Sequence, residues 1–166
     1  MFTTRRYTKI IFILYCIILV WTVFFKLSFS LHDIAAFFGN RSINLIPFYY
    51  SSPSDFHLRE TVLNCLVFAP FSLLLCMLGA DFKKAVLTAF CVSAAFELSQ
   101  LIFALGACDL TDLITNTLGG ILGALAYIGL TKLCKNTQKL HKILLILGTA
   151  AAAAFAALAI LLIMAN

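Results

Sequence analysis

Charged residues are scarce in this chain of 166 residues: they make up 11% of it, while hydrophobic residues make up 63%. Ordinary soluble domains contain about 25% charged and about 45–50% apolar residues. A soluble domain of this length buries only about two-thirds of its surface, so it cannot hide so many apolar side chains. The low hydrophobicity that marks intrinsic disorder is also missing. The composition therefore predicts an integral membrane protein that is surrounded mostly by lipid.

Sequence motifs of common catalytic and metal sites are absent as well. The six cysteines form no CxxC pair, and the chain has no Ser-x-x-Lys, HExxH or glycine-rich phosphate loop. We therefore predict no metal site and no cofactor. Twelve Lys and Arg against seven Asp and Glu give a formal charge of +5. In a membrane protein such a surplus faces the anionic cytoplasmic leaflet, so nucleic acid is not an expected partner.

Five apolar stretches are long enough to cross a membrane. They lie at residues 10–25, 62–80, 85–105, 113–131 and 143–165. Each should be a helix, because lipid offers no partner for free backbone N–H and C=O groups. The first stretch also resembles a signal peptide, but Lys26 and the four further spans favour a retained anchor. We predict an all-α fold, a single domain over residues 1–166 built as a polytopic bundle of about five transmembrane helices.

The positive charges predict an orientation in the bacterial cytoplasmic membrane. Nine Lys and Arg lie in the N-terminal segment, the 81–84 turn and the 132–142 loop, whereas the alternate loops hold three. Positive-inside bias then places the N-terminus in the cytoplasm and the C-terminus outside. The outer loop after the first span should be partly helical, because apolar residues at helical spacing indicate a short helix on the membrane surface. These residues are Leu31, Ile34, Ala35, Phe37 and Phe38.

Polar residues inside the apolar spans are the candidates for function. Glu97 is the only acidic residue within a span, and inserting it costs at least a few kcal/mol. Gln100 lies one turn further along on the same helix face. Asn64 lies near the outer end of the second span, with Arg59 just before it. Pro70, in the same span, removes one hydrogen bond within the helix.

The fourth span carries a stripe of polar and small residues on one helix face. Asp109, Asp112, Asn116, Gly119 and Gly123 are offset by 0, 3, 7, 10 and 14 residues. The stripe is polar near the outer surface, and the two glycines predict a close approach by another helix backbone. Asp109 and Asp112 are also candidate helix caps. A divalent cation held by these two carboxylates is a further alternative.

The turn between the third and fourth spans is short, so these helices should form an antiparallel hairpin. If the turn centres near residues 108–109, Glu97 stands level with Gly119–Gly120. Gln100 would then stand opposite Asn116 or Thr117.

The polar residues arrive in an order that resembles the VanZ-like family of bacterial membrane proteins. The matching segments are Asn44-Leu45-Ile46-Pro47-Phe48, Asn64 with Phe68-Ala69-Pro70-Phe71, Glu97-Leu98-Ser99-Gln100, and Asp109 to Gly120 with Gly123 beyond. The resemblance covers about residues 44–127. It implies a link to low-level resistance to the glycopeptide teicoplanin, with which the founding member is associated. Family members often carry an Arg just before the first Asp of the D-x-x-D segment, where this chain has Gly106-Ala107-Cys108, so Arg59 or Arg41 would have to supply that charge.

We therefore predict an envelope protein with an outward-facing polar cleft that binds a membrane lipid or a lipid-linked envelope precursor. Catalysis and simple binding remain alternatives, with Glu97 as the candidate catalytic or central binding carboxylate. The candidate ligand-binding residues are Asn44, Arg59, Asn64, Gln100, Asp109, Asp112 and Asn116. The candidate structural residues are Pro47, Pro70, Gly119, Gly120 and Gly123.

Two hypotheses of other classes compete with this one. In a non-enzymatic scaffold, the buried polar residues would only join the helices. A small transporter is the other, although five spans carry no inverted-repeat symmetry. A homo-oligomer through the Gly119–Gly123 face or the alanine-rich last span would make the transporter more plausible.

Overall fold

The structure is a computed structural model that describes residues 2–25, 40–48 and 58–165. It contains five helices in these ranges: α1 (Phe2–Phe25), α2 (Leu58–Met77), α3 (Phe82–Phe103), α4 (Leu110–Leu133) and α5 (Thr137–Ala165). Each is long and apolar enough to cross a membrane, so the predicted five-span helix bundle is confirmed. The proposed surface helix at residues 31–38 lies outside the described residues.

Two short strands, β1 (Asn40–Asn44) and β2 (Leu105–Asp109), form a parallel pair that the sequence did not indicate. Asn40 pairs with Leu105 and Asn44 with Asp109 at the two ends of the ladder. We call the end of the bundle that carries this pair the strand end. The turn end is the opposite one, where the turns at 78–81 and 134–136 lie.

The connection between α3 and α4 is therefore a strand rather than a simple turn. Ala104 ends α3 in the left-handed conformation, with φ 55° and ψ 44°. The N–H of Asp109, at the other end of β2, donates to the Glu97 carboxylate at 2.8 Å. Glu97 lies six residues before the end of α3, which is about 9 Å along a helix. β2 thus runs back along the last turns of α3. α4 therefore begins level with Glu97, nearer the middle of the bundle than the end of α3.

Small residues let α4 pack directly on the backbone of α2. A Cβ atom added to Gly119 would lie 2.4 Å from the Cys65 carbonyl oxygen, and one added to Gly123 would lie 1.9 Å from that of Ala69. These separations are far below van der Waals contact, so only glycine fits at either place. The predicted close approach at this glycine stripe is confirmed. Because α2 fills it, the Gly119–Gly123 face is not available for the homo-oligomer considered above, and that route to a dimer is wrong.

α1 contacts the α2–α4 group through aromatic side chains and through hydrogen bonds, one of which comes from Tyr15. The Tyr15 hydroxyl donates to the Val67 carbonyl oxygen of α2. Val67 precedes Pro70 by three residues, and the proline ring weakens carbonyl pairing in the turn before it. α2 nevertheless continues to Met77 with Pro70 inside it. The Tyr15 hydroxyl therefore supplies a donor beside the turn that the proline disturbs.

Candidate functional site

Asp109 lies where β2 meets α4, and it joins three segments of the chain. Its Oδ1 accepts the Thr111 N–H at 2.7 Å, which makes it the N-cap of α4. Its Oδ2 accepts a 3.2 Å hydrogen bond from the Asn44 side-chain amide at the end of β1. Its own N–H donates to Glu97 of α3. The capping alternative for Asp109 is thus confirmed, and the cap also connects the strand pair to α3.

Glu97 is 5% exposed and lies against the last residue of β2. The sequence placed it level with Gly119–Gly120, and that placement is wrong. The Ala89 side chain of α3 faces Gly120 instead, so Glu97 stands two turns nearer the strand end. The physical reason is β2: its five residues run back along α3 and shift the register of the two helices.

Asn64 and Asp112 form the contact between α2 and α4 at the strand end. The Asn64 side-chain amide donates to Asp112 Oδ1 at 2.8 Å and to the Thr115 hydroxyl at 3.3 Å. Cys65, the next residue of α2, directs its thiol to the Thr115 carbonyl oxygen at 3.1 Å. The two predicted residues Asn64 and Asp112 are therefore in direct contact, and Thr115 accepts a second hydrogen bond from Asn64.

Asn116 lies one turn deeper, between α4 and α3. Its side-chain amide donates to the Ser93 hydroxyl at 2.9 Å, and the two residues are 3% and 0% exposed. Gln100 was predicted to stand opposite Asn116 or Thr117, and that prediction is wrong. Its Nε2 donates to the Val23 carbonyl oxygen of α1 at 3.4 Å, while its buried Oε1 has no hydrogen-bond partner among the described residues.

Arg59, Arg41 and Pro47 are the remaining residues that the sequence analysis singled out for the site. Arg59 lies in the first turn of α2, but its side chain is outside the described set, as is that of Arg41. Pro47 is exposed in the turn after β1, where the N–H of its neighbour Phe48 donates to the Thr111 hydroxyl at 3.1 Å. Whether an Arg supplies the cation that family members often have before the D-x-x-D segment stays a prediction.

These contacts define a set that we call the polar network. Its members are Asn44, Asn64, Ser93, Glu97, Asp109, Thr111, Asp112, Thr115 and Asn116, and each bonds at least one other member. All of them lie toward the strand end of α2, α3 and α4 or on the strand pair, except Ser93, which lies at the middle of α3. Sequence reasoning missed Thr111 and Thr115. Their signal was spacing, because Thr115 follows Thr111 by one turn on the helix that carries Asp112 and Asn116.

The network offers carboxylate and amide groups but no cluster typical of a metal site. Over residues 2–25, 40–48 and 58–165, no three His, Cys, Asp or Glu side chains are grouped to hold an ion. Asp109 and Asp112 each bond a different asparagine. Next to Asp109, burial raises the pKa of the Cys108 thiol, and the charges of Glu97 and Asp109 raise it further.

Comparison with known proteins identifies the family of this chain. A family model described as VanZ/LLP1 matches residues 12–135, a range that contains the whole polar network. The curated Protein VanZ of Enterococcus faecium is 39% identical over 140 residues, which cover 81% of this chain and 81% of that protein. No solved structure matches the chain. The chain belongs to the VanZ/LLP1 family of membrane proteins.

Proposed function

We propose that this protein binds a lipid-like or lipid-linked molecule of the bacterial envelope at the strand end of the bundle, and that this binding supports resistance to teicoplanin. In the proposed orientation the strand end faces outward from the cytoplasmic membrane, with the N-terminus in the cytoplasm. An extended form of the proposal adds chemical modification of the bound molecule, with Glu97 as its acid or base.

One observation carries the proposal: three acids and three asparagines gather at one end of α2, α3 and α4 and on the strand pair beside them. They are Glu97, Asp109, Asp112, Asn44, Asn64 and Asn116. Buried ionisable groups at membrane depth are costly and are typical of sites for polar ligands. The Oε1 of Gln100, which lies one turn from Glu97 on α3, adds a buried acceptor that has no donor within the part of the chain that the structure describes. A hydroxyl or amide group of a ligand, or a water molecule, would satisfy it.

The family membership supports the resistance link through the relative's name. Protein VanZ of Enterococcus faecium shares 39% of its residues with this chain over the aligned range. The resemblance described above connects that family with low-level resistance to the glycopeptide teicoplanin. An outward-facing site in the membrane is a suitable place to bind an envelope precursor.

Glu97→Gln is the most direct test, because the substituted amide keeps an oxygen that accepts the Asp109 N–H. The variant should fold normally and lose the rise in the inhibitory concentration of teicoplanin that the parent protein confers on a susceptible strain. Ser99→Ala is the matched control, since Ser99 lies on the same helix and its hydroxyl bonds only the Ala95 carbonyl of its own helix. Full resistance in Glu97→Gln at equal expression would remove the proposed role of Glu97.

A second candidate function is a scaffold without a ligand. Its support is that most of the network is satisfied within the chain, as in the Asn64–Asp112 and Asn116–Ser93 pairs. On this account Glu97→Gln and Asn116→Ala chiefly lower the yield of folded protein in detergent. Variants that stay monodisperse and thermally stable but lose resistance would favour the binding function instead.

A further inference from the structure

The turn end of the bundle carries a cavity of a different character from the polar network. It has a volume of about 720 Å³ and lies between the start of α1, the turn after α2 and the start of α5. Arg5 and Lys142 both line it, together with Gln138 and His141, and none of its lining residues is acidic. An anion is the complementary occupant for such a pocket.

Two further cavities, both largely apolar, lie along α1 and α5 beyond this basic cavity. A second cavity, of about 450 Å³, shares Thr4 and Lys142 with the first and is lined further on by Ile11 and Leu145. A third, of about 670 Å³, shares Ile11 with the second and reaches Tyr15 and Gly148, and it is also lined by residues of α2 and α4. Its lining is almost wholly apolar.

The length of this path fits one lipid chain. From Thr4 to Tyr15 the α1 helix rises about 16 Å, at about 1.5 Å per residue. Half of the hydrocarbon core of a bilayer is about 15 Å thick. A molecule with an anionic group at one end and an apolar chain of this length is a phospholipid of the leaflet at the turn end.

The charge of the surrounding surface favours the same occupant. Residues 2–9, 78–84 and 132–142, which form the turn end, hold nine Lys and Arg against one acid, Asp81. Asp81 already pairs with Lys84 at 3.4 Å. Each cation near a membrane surface adds attraction for anionic lipid.

We propose that one anionic phospholipid binds at the turn end, with its phosphate between Arg5 and Lys142 and one acyl chain in the groove between α1 and α5 that leads to Gly148. This site is separate from the polar network and does not depend on the function proposed above. The apolar continuation favours a lipid headgroup over a free phosphate ion, which would use only the basic cavity.

Native mass spectrometry of the protein in detergent, titrated with phosphatidylglycerol, tests the site. We expect the protein to bind phosphatidylglycerol more tightly than zwitterionic phosphatidylcholine. Arg5→Gln with Lys142→Gln should weaken phosphatidylglycerol binding roughly 25-fold, about fivefold for each cation removed. Lys135→Gln with Lys139→Gln is the matched control, because it removes the same charge at the same end from exposed residues that line none of the three cavities. It should weaken binding much less than the first pair does, because these two cations contribute only to the general surface charge.

Gly148→Leu tests the acyl chain separately from the headgroup. An added Cβ here meets only Ile11 among the described residues, at an ordinary 3.6 Å, so a first methyl group fits, and the remaining atoms of leucine would take space from the groove. It should weaken phosphatidylglycerol binding at unchanged charge. The proposal is overturned if the two double variants lose binding equally, if phosphatidylcholine binds as tightly, if Gly148→Leu binds normally, or if inorganic phosphate at the lipid's concentration displaces the lipid.

Discussion

Asn116 of α4 donates a 2.9 Å hydrogen bond to the Ser93 hydroxyl of α3, and neither side chain reaches the surface of the bundle. The pair fixes the register of the two helices. It places Asn116 beside Ser93 and, one turn away on each helix, Gly120 beside Ala89. The position of Glu97 next to β2 follows from that register.

A double-mutant cycle on Ser93→Ala and Asn116→Ala should reveal this bond. Hydrogen bonds between helices in membranes are worth about 0.6 kcal/mol on average and up to about 1.7 kcal/mol. We expect a coupling free energy within that range, measured from thermal or denaturant unfolding in detergent. Ser99→Ala combined with Asn116→Ala should be additive, and a coupling of zero for Ser93 would contradict the observed register.

Gly123→Ala should destabilise the protein by about 1–3 kcal/mol, as overpacking does in close-packed interiors. The added Cβ would lie 1.9 Å from the Ala69 carbonyl oxygen, so α2 and α4 would have to separate. Gly129→Ala is the control on the same helix, because no atom lies within 4 Å of its added Cβ. It should be neutral or stabilise by up to about 1 kcal/mol, since alanine favours the helix. Equal unfolding temperatures for the two variants would refute the packing described here.

Tyr15→Phe should lower the free energy of unfolding by about 0.6–1.7 kcal/mol, because it removes the donor to the Val67 carbonyl. Tyr7→Phe on the same helix should have no measurable effect, since Tyr7 is 60% exposed. Thermal unfolding of both variants in one detergent provides the comparison. A Tyr15→Phe variant as stable as the parent would show that the Tyr15 hydrogen bond does not hold α1, and that its other contacts, such as Phe24 with Phe96 at 5.4 Å between ring centroids, are sufficient.

Cys108 should react slowly with alkylating reagents at neutral pH. Its pKa is raised above the ordinary value of 9.0, first by burial and then by the nearby carboxylates. Because the thiolate is the reactive form, the rate of alkylation should rise with pH with a midpoint above 9.0. Peptide mass spectrometry can follow this cysteine separately. Glu97→Gln should move the midpoint to lower pH by removing one negative charge, and a midpoint below 9.0 in the parent protein would contradict the burial of this thiol.

The sequence was sufficient for the helices and for most of the polar network. Five apolar stretches can cross a membrane only as helices, so their existence follows from length and composition. The stripe of Asp109, Asn116, Gly119 and Gly123 depends only on helical spacing, and it lies on the buried face or at the cap of α4. These properties are local, which is why one sequence could reveal them.

The strand pair and the register that it imposes could not be predicted. β2 has five residues, Leu105 to Asp109, too few for a periodic pattern to separate a strand from a turn. Its partner β1 lies more than sixty residues earlier in the chain, and no local signal joins them. The misplacement of Glu97 and Gln100 follows from that one omission.

The parallel strand pair has a consequence for the order in which the chain assembles. The Asn44–Asp109 contact joins residues that are 65 positions apart, and the segment between them contains the whole of α2 and α3. Closing this loop costs conformational entropy before the strands form their hydrogen bonds, and a packed pair of α2 and α3 lowers that cost by holding the ends closer together. We therefore expect the two strands to pair last. Newly made protein with all its membrane spans inserted would then still lack the hydrogen bond from Asn44 to Asp109.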